Sequence, residues 1–141
     1  MAGIAVWKAL ARDRRGGAAV EFALVGPVFV LLLMGMVVYG GWFWLAQGIQ
    51  SAAAEGARAA IGGLDPTEQA AEARRFVGEH LKATTGLDPT RAQVEVDTTS
   101  QVIVVRVAYD VSRHPLMALS VIVPPPPDVI ERSAAVRTGG Y

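Results

Sequence analysis

The chain has 141 residues, enough for one modest domain, and it carries 13 Lys or Arg against 13 Asp or Glu. Its apolar fraction of 52% exceeds that of a typical soluble domain. The excess is concentrated between Glu21 and Glu55, where no charged residue occurs. No broad basic patch follows that segment, so binding of nucleic acid is not expected. Cysteine is absent, which excludes disulfides, thiol catalysis and cysteine-bound metal.

The first predicted element is a membrane-spanning helix over residues 22–45. At about 1.5 Å per residue such a helix is about 36 Å long, enough to cross a hydrocarbon core of about 30 Å. Aromatic residues gather at its C-terminal end, as is typical of a membrane interface. Basic residues dominate the stretch before it, which contains Lys8, Arg12, Arg14 and Arg15 but only one acidic residue, Asp13. The positive-inside rule therefore predicts a cytoplasmic N-terminus and an exported C-terminal part.

The junction before the span reads RRGGAAVEF over residues 14–22, and Glu21 is its unusual member. A carboxylate inside a bilayer is costly unless it is paired. Taken alone, Glu21 is also consistent with a residue at the membrane–water interface whose carboxylate remains in water. The whole pattern resembles a type IV prepilin signal. That resemblance implies cleavage by an aspartic prepilin peptidase between Gly16 and Gly17, which makes Glu21 the fifth mature residue. Cleavage after Gly17 would instead make it the fourth.

In this resemblance each junction residue has a role. Arg14 and Arg15 belong to the leader that the peptidase recognises and removes, and Phe22 follows the acidic position. The family is thought to pair the acidic residue with the new N-terminal amine of a neighbouring subunit. Such a pair would neutralise Glu21 among apolar helices.

The longer string RRGGAAVEFALVGPVFVLLL, with the alanine-rich continuation AQGIQSAAAEGARAA, looks like TadE and its relatives in the tight-adherence (Flp) pilus system. The resemblance covers residues 12–62 well and the rest only in layout. It implies a minor pilin or pseudopilin in the inner membrane, with its C-terminal domain in the periplasm. The implied partners are the prepilin peptidase, other pilins, the inner-membrane assembly platform and membrane lipid. TadF-like proteins are similar in size, so that distinction stays open.

The exported part opens with helices. Alanine-rich sequence continues the first helix to Gly62-Gly63. Asp65 then predicts an N-cap, with Pro66 at the first helical position and Glu68 at the third. Gly86 and the following Asp-Pro pair close this second helix. Its apolar stripe consists of Ala70, Ala73, Phe76, Val77 and Leu81.

Strands follow the second helix. Val94 and Val96 alternate with acidic residues, and a Thr98-Thr99-Ser100 turn leads to a second alternating run. The apolar face of that run is Ile103, Val105, Val107, Tyr109 and Val111. His114-Pro115 interrupts the sheet, residues 124–127 form an extended proline spacer, and residues 128–138 predict a third strand with Ile130, Ala134 and Val136 on one side.

We therefore expect an α+β fold: a long N-terminal transmembrane helix that continues outward, a second helix, and a small antiparallel sheet of two or three strands. The expected divisions are a basic leader at 1–16, the long helix at 17–62 and a small domain at 63–141. A domain of this size buries little surface.

The sequence predicts no enzyme, cofactor or metal site. His80 and His114 are isolated, and the glycine-rich stretches match no phosphate-binding loop. Two other readings remain open. One is a single-span membrane-anchored periplasmic adaptor or sensor that is not processed as a pilin. The other is a secreted protein released by signal peptidase after Ala52-Ala53-Ala54, against which the apolar segment is longer than a signal-peptide core of about 7–15 residues.

Overall fold

A computed structural model of the chain describes residues 14–99 and 101–138. Predictions that concern residues 1–13 and Ser100 lie outside them. The elements in chain order are helix α1 (Arg14–Ala60), helix α2 (Pro66–Thr85), strand β1 (Ala92–Thr98), strand β2 (Val102–Asp110), the short helix α3 (Pro115–Ala118) and strand β3 (Val129–Arg137). The predicted α+β class is confirmed, and the third strand is present.

Helix α1 is 47 residues long and contains Pro27. Pro27 removes one backbone hydrogen-bond donor, but the helix continues past it. The helix ends at Ala60, two residues before the predicted Gly62-Gly63 end. The last turn tightens there, because the amide of Gly63 donates to the carbonyl of Ala60 at 3.2 Å.

Helix α2 is capped as predicted. An Asp65 carboxylate oxygen accepts hydrogen bonds from the amides of Thr67 at 2.7 Å and Glu68 at 2.9 Å. The Glu68 carboxylate reaches back to the amide of Leu64 at 2.9 Å. At the other end Gly86 has a φ of 68°, a left-handed conformation that glycine adopts without strain.

The prediction that Phe76 belongs to the buried apolar stripe of α2 is wrong. Ala73, Val77 and Leu81 are fully buried, whereas Phe76 is 38% exposed. Its ring lies beneath the guanidinium of Arg75, which is 4.5 Å from the ring centroid. Arg75 also pairs with Glu72 at 2.6 Å, so Phe76 belongs to the charged outer face of the helix.

The sheet is antiparallel in the order β1-β2-β3. Val105 stands opposite Val96 on one side and Ala134 on the other, so the three apolar faces coincide. The predicted apolar run of β2 is buried along its whole length. The opposite face is mixed, because Val104 and Ala108 of β2 lie on it beside Arg106, which pairs with Asp97 at 2.8 Å. The alternation therefore gives the sheet one core face and one solvent face.

The turns beside the sheet use carboxylates. Asp88 accepts hydrogen bonds from the hydroxyl of Thr90 at 2.8 Å and from its amide at 3.0 Å, and these bonds lower the pKa of the Asp88 carboxyl. Hydrogen bonding by Ser112 similarly lowers the pKa of Asp110. Both carboxylates are therefore held ionised where the chain reverses.

The core forms where the inner face of the sheet and the stripe of α2 meet the C-terminal half of α1. This half of α1 contributes small and aliphatic buried residues, namely Leu45, Ala46, Ile49, Ala52, Ala53, Ala57 and Ala60. Its glycines allow closer approach. A Cβ on Gly56 would lie 2.5 Å from Val77 Cγ2 and 3.1 Å from the carbonyl oxygen of Ala73, and one on Gly48 would collide with Thr85. Along this face the backbone of α1 at its glycines packs directly against residues of α2.

We predict that Gly56→Ala destabilises the protein. The added methyl group overpacks the contact between α1 and α2, which outweighs the gain in helix propensity and lowers the free energy of unfolding by about 1–2 kcal/mol. Thermal unfolding of the full chain in detergent micelles, followed by near-ultraviolet circular dichroism, measures the change.

Gly40→Ala is the matched control, because a Cβ there meets nothing within 4 Å. It should leave the midpoint unchanged or raise it. Equal effects of the two substitutions would contradict the close helix contact.

Candidate processing and assembly site

The N-terminal half of α1, residues 16–37, carries none of the buried residues of the domain core. Most of its large apolar side chains are exposed, with Phe22 77%, Leu24 69% and Val28 62% exposed. This free half is about 33 Å long at about 1.5 Å per residue. A surface of this size and character requires lipid or other apolar helices around it.

Gly16 and Gly17 begin the free half. Both are helical and exposed, and a Cβ built on either meets nothing within 4 Å. Glycine costs about 1 kcal/mol relative to alanine inside a helix. The pair is therefore accessible, and the helical conformation is less stable there than it would be with alanine. It directly follows Arg14 and Arg15, the first two helical residues.

Glu21 follows Gly17 by four residues, so the two lie on the same face of α1, one turn apart. Its side chain is exposed, and within residues 16–99 and 101–138 it has no ion-pair partner. The ring of Phe22 lies near Gly26, where an added Cβ would be 3.8 Å from its atoms. The structure thus brings the predicted cleavage and acidic positions together, and leaves the carboxylate available to a group from outside this part of the chain.

Just beyond the free half, α1 contacts a segment that includes the proline run, which the sequence analysis treated only as a spacer. We call residues 115–127 the strap. Its ends are held together beside the sheet, since the amide of Val111 donates to the carbonyl of Asp128 at 2.7 Å. Leu116 of the strap packs on Gly41, whose missing side chain leaves room for it.

Two aromatic donors of α1 fasten the strap. The hydroxyl of Tyr39 donates to the carbonyl of Pro124 at 3.1 Å, and Nε1 of Trp42 donates to the carbonyl of Pro127 at 2.9 Å. Prolines supply carbonyl acceptors and no amide donors, so aromatic O–H and N–H groups are suitable partners. The sequence showed the aromatic cluster and the proline run, but nothing in it paired residues 85 positions apart.

Other polar groups have structural roles. Nδ1 of His114 accepts a hydrogen bond from the amide of Leu116 at 3.3 Å and so caps α3. His80 is half-buried on α2, away from the free half. Across residues 14–99 and 101–138 no cluster of three or more His, Asp or Glu side chains is placed to hold a metal ion.

These features define an α+β protein whose N-terminal helix is long and apolar enough to cross a membrane. In the part of the chain that the structure describes, α1 is the one such helix. Its most apolar 18-residue window has a mean hydropathy of 2.4 and is 6% buried.

Residues 16–58 of the chain match the model of the family described as TadE-like protein. The match confirms, over those residues, the resemblance to TadE that was drawn from the sequence. No curated protein and no solved structure matches the chain.

We predict that Trp42→Phe loosens the strap. The substitution removes the donor to Pro127 and leaves a ring in place, which costs about 1 kcal/mol for the lost hydrogen bond. Hydrogen–deuterium exchange of the strap amides in the micelle-bound full chain should become faster.

Trp44→Phe is the matched control, because the Trp44 side chain is 54% exposed and donates no hydrogen bond in the described residues. Strap exchange that is equally fast in both variants, or unchanged in Trp42→Phe, would contradict the fastening role.

Proposed function

We propose that the protein is a minor pilin or pseudopilin that takes part in assembly of tight-adherence (Flp) pili after processing by a prepilin peptidase. It acts as a structural subunit rather than an enzyme. The observation that carries the proposal is the TadE-like match, which begins at Gly16, the residue before the expected cut. The exposed Gly16-Gly17 pair and the free half of α1 support it.

The free half supports insertion in the inner membrane. Burying a large apolar side chain contributes about 1.5–3 kcal/mol, so many exposed ones on one helix strongly favour lipid. Arg14 and Arg15 hold its start on the cytoplasmic side, and the α+β domain is then periplasmic.

The same surface serves assembly. When a subunit leaves the lipid, neighbouring pilin helices replace the acyl chains around it. Cleavage after Gly16 creates an α-amine on Gly17, and Glu21, which has no ion-pair partner within residues 16–99 and 101–138, would pair with such an amine on another subunit. The pair removes the cost of a lone carboxylate among apolar helices.

The N-terminal residue of the mature protein tests the proposal. The full chain is produced in cells that contain prepilin peptidase, and the membrane fraction is analysed by N-terminal sequencing and intact mass. We expect Gly17. A mature protein that begins at Met1 or Ala2 would support an unprocessed anchor, and one that begins at Glu55 a secreted form.

Substitutions at the glycine pair locate the cut. Gly16→Leu should block processing, because a bulky side chain replaces the residue just before the bond. Gly17→Ala should still be cut, giving a mature chain that begins with alanine. Neither added side chain meets a neighbour at its Cβ, so both variants should fold. The reverse pattern would place the cut after Gly17.

Glu21→Ala tests assembly separately. The variant should insert and fold normally, because the Glu21 side chain has no ion-pair partner within residues 16–99 and 101–138. Its co-purification with other pilins after cross-linking should fall at least about tenfold, as expected for loss of a buried pair. Glu55→Ala is the control, since Glu55 pairs with Arg58 at 2.7 Å on the exposed helix surface near the domain. Normal co-assembly of Glu21→Ala would contradict the assembly role.

A further inference from the structure

The strap carries an apolar tip that the proposed function does not use. Val121 is 91% exposed and Ile122 is 55% exposed, although both belong to a folded turn beside α1. We infer that this tip inserts into the lipid of the membrane leaflet on the domain side, so that the protein contacts the bilayer through both α1 and the strap. The inference rests on the proposed anchoring of α1.

Position along α1 gives the depth. If the hydrocarbon core begins at Phe22, directly after Glu21, about 20 helical residues cross it, and it ends near Gly41. The strap reaches below that level, because a Cβ on Gly35 would lie 3.8 Å from Cγ1 of Val123. Gly35 is six residues before Gly41, or about 9 Å deeper. Val121 and Ile122 immediately precede Val123.

The composition of the strap fits this depth. Residues 115–127 contain no charged side chain. Irregular backbone is costly in lipid because its amides and carbonyls lack water, but the five prolines of the strap have no amide to satisfy. Tyr39 and Trp42 donate to two of the free carbonyls, and the amide of Ile122 donates to Leu119 at 3.2 Å. The segment therefore carries few unsatisfied donors.

Polar groups appear just above the tip. The guanidinium of Arg132 lies 6.0 Å from the ring centroid of Trp42. Arg132 is on the inner face of β3, opposite Val107, and the nearest β3 residues on that same face, Ile130 and Ala134, are apolar. Trp and Arg together are typical of the headgroup level, where a ring meets acyl chains and a cation meets phosphate. The order from Val121 to Trp42 and Arg132 thus follows the order of a leaflet from acyl chain to headgroup.

Single cysteines test the insertion directly, because the chain contains no native cysteine. Val121→Cys is labelled with an environment-sensitive NBD group, and the full chain is placed in phosphatidylethanolamine–phosphatidylglycerol vesicles that contain doxyl-labelled lipid. We expect blue-shifted emission and at least twofold quenching by the lipid spin label. Leu64→Cys is the matched control, since Leu64 is 92% exposed beyond the far end of α1 and should show neither effect.

Val28→Cys, in the free half, separates the two proposals. Quenching at residues 28 and 121 supports both anchoring and insertion. Quenching at residue 28 with water-like emission at residue 121 overturns the insertion alone, and absence of quenching at both overturns the anchoring as well. Emission at residue 121 that is blue-shifted but insensitive to the lipid spin label would mean that protein covers the tip, which also overturns the insertion.

Discussion

The structure depends on the close packing of a small α+β domain against only one half of a single long helix. Glycine and alanine on that half let α2 and the sheet approach the backbone of α1, so Gly56 touches Val77 and Ala73 directly. Without this contact the second helix and three strands would have little core of their own. The other half of α1 makes no such contact and keeps its apolar surface for an environment outside the chain.

This division explains how one uninterrupted helix can serve two surroundings. The docked half is buried by small residues, which permit tight packing but carry little apolar area each. The free half has large residues such as Phe22 and Leu24, which gain most from lipid or from neighbouring helices. The strap lies at the boundary, where Tyr39 and Trp42 hold its proline carbonyls.

Much of the fold could be predicted because local rules and tertiary packing agree. The Asp65 cap, the Gly86 stop and the alternation in β2 are all properties of short sequence windows, and the structure has each of them. Phe76 shows the limit. Its spacing fits the apolar stripe, but only Ala73, Val77 and Leu81 of α2 are buried in the core. The adjacent Arg75 provides an alternative contact for the Phe76 ring outside the core.

The junction residues could be proposed from the sequence because the pattern is continuous, from Arg14 to Phe22. The strap could not, because its partners are distant in the chain and the relevant property of Gly41 is the space it leaves for Leu116. A proline run predicts extended backbone but does not say what the carbonyls accept. Pairing of remote segments requires the tertiary structure.

No loop separates the domain from the free half, since α1 enters the core as the same helix that begins at Arg14. The azimuth of the domain about the helix axis is consequently fixed. If the protein assembles as proposed, the side of the free half on which neighbouring subunits pack would also determine the direction in which the sheet surface around Arg106 faces. In an assembled array, the rotation of each α1 helix about its own axis would therefore determine which surface of the domain faces outward.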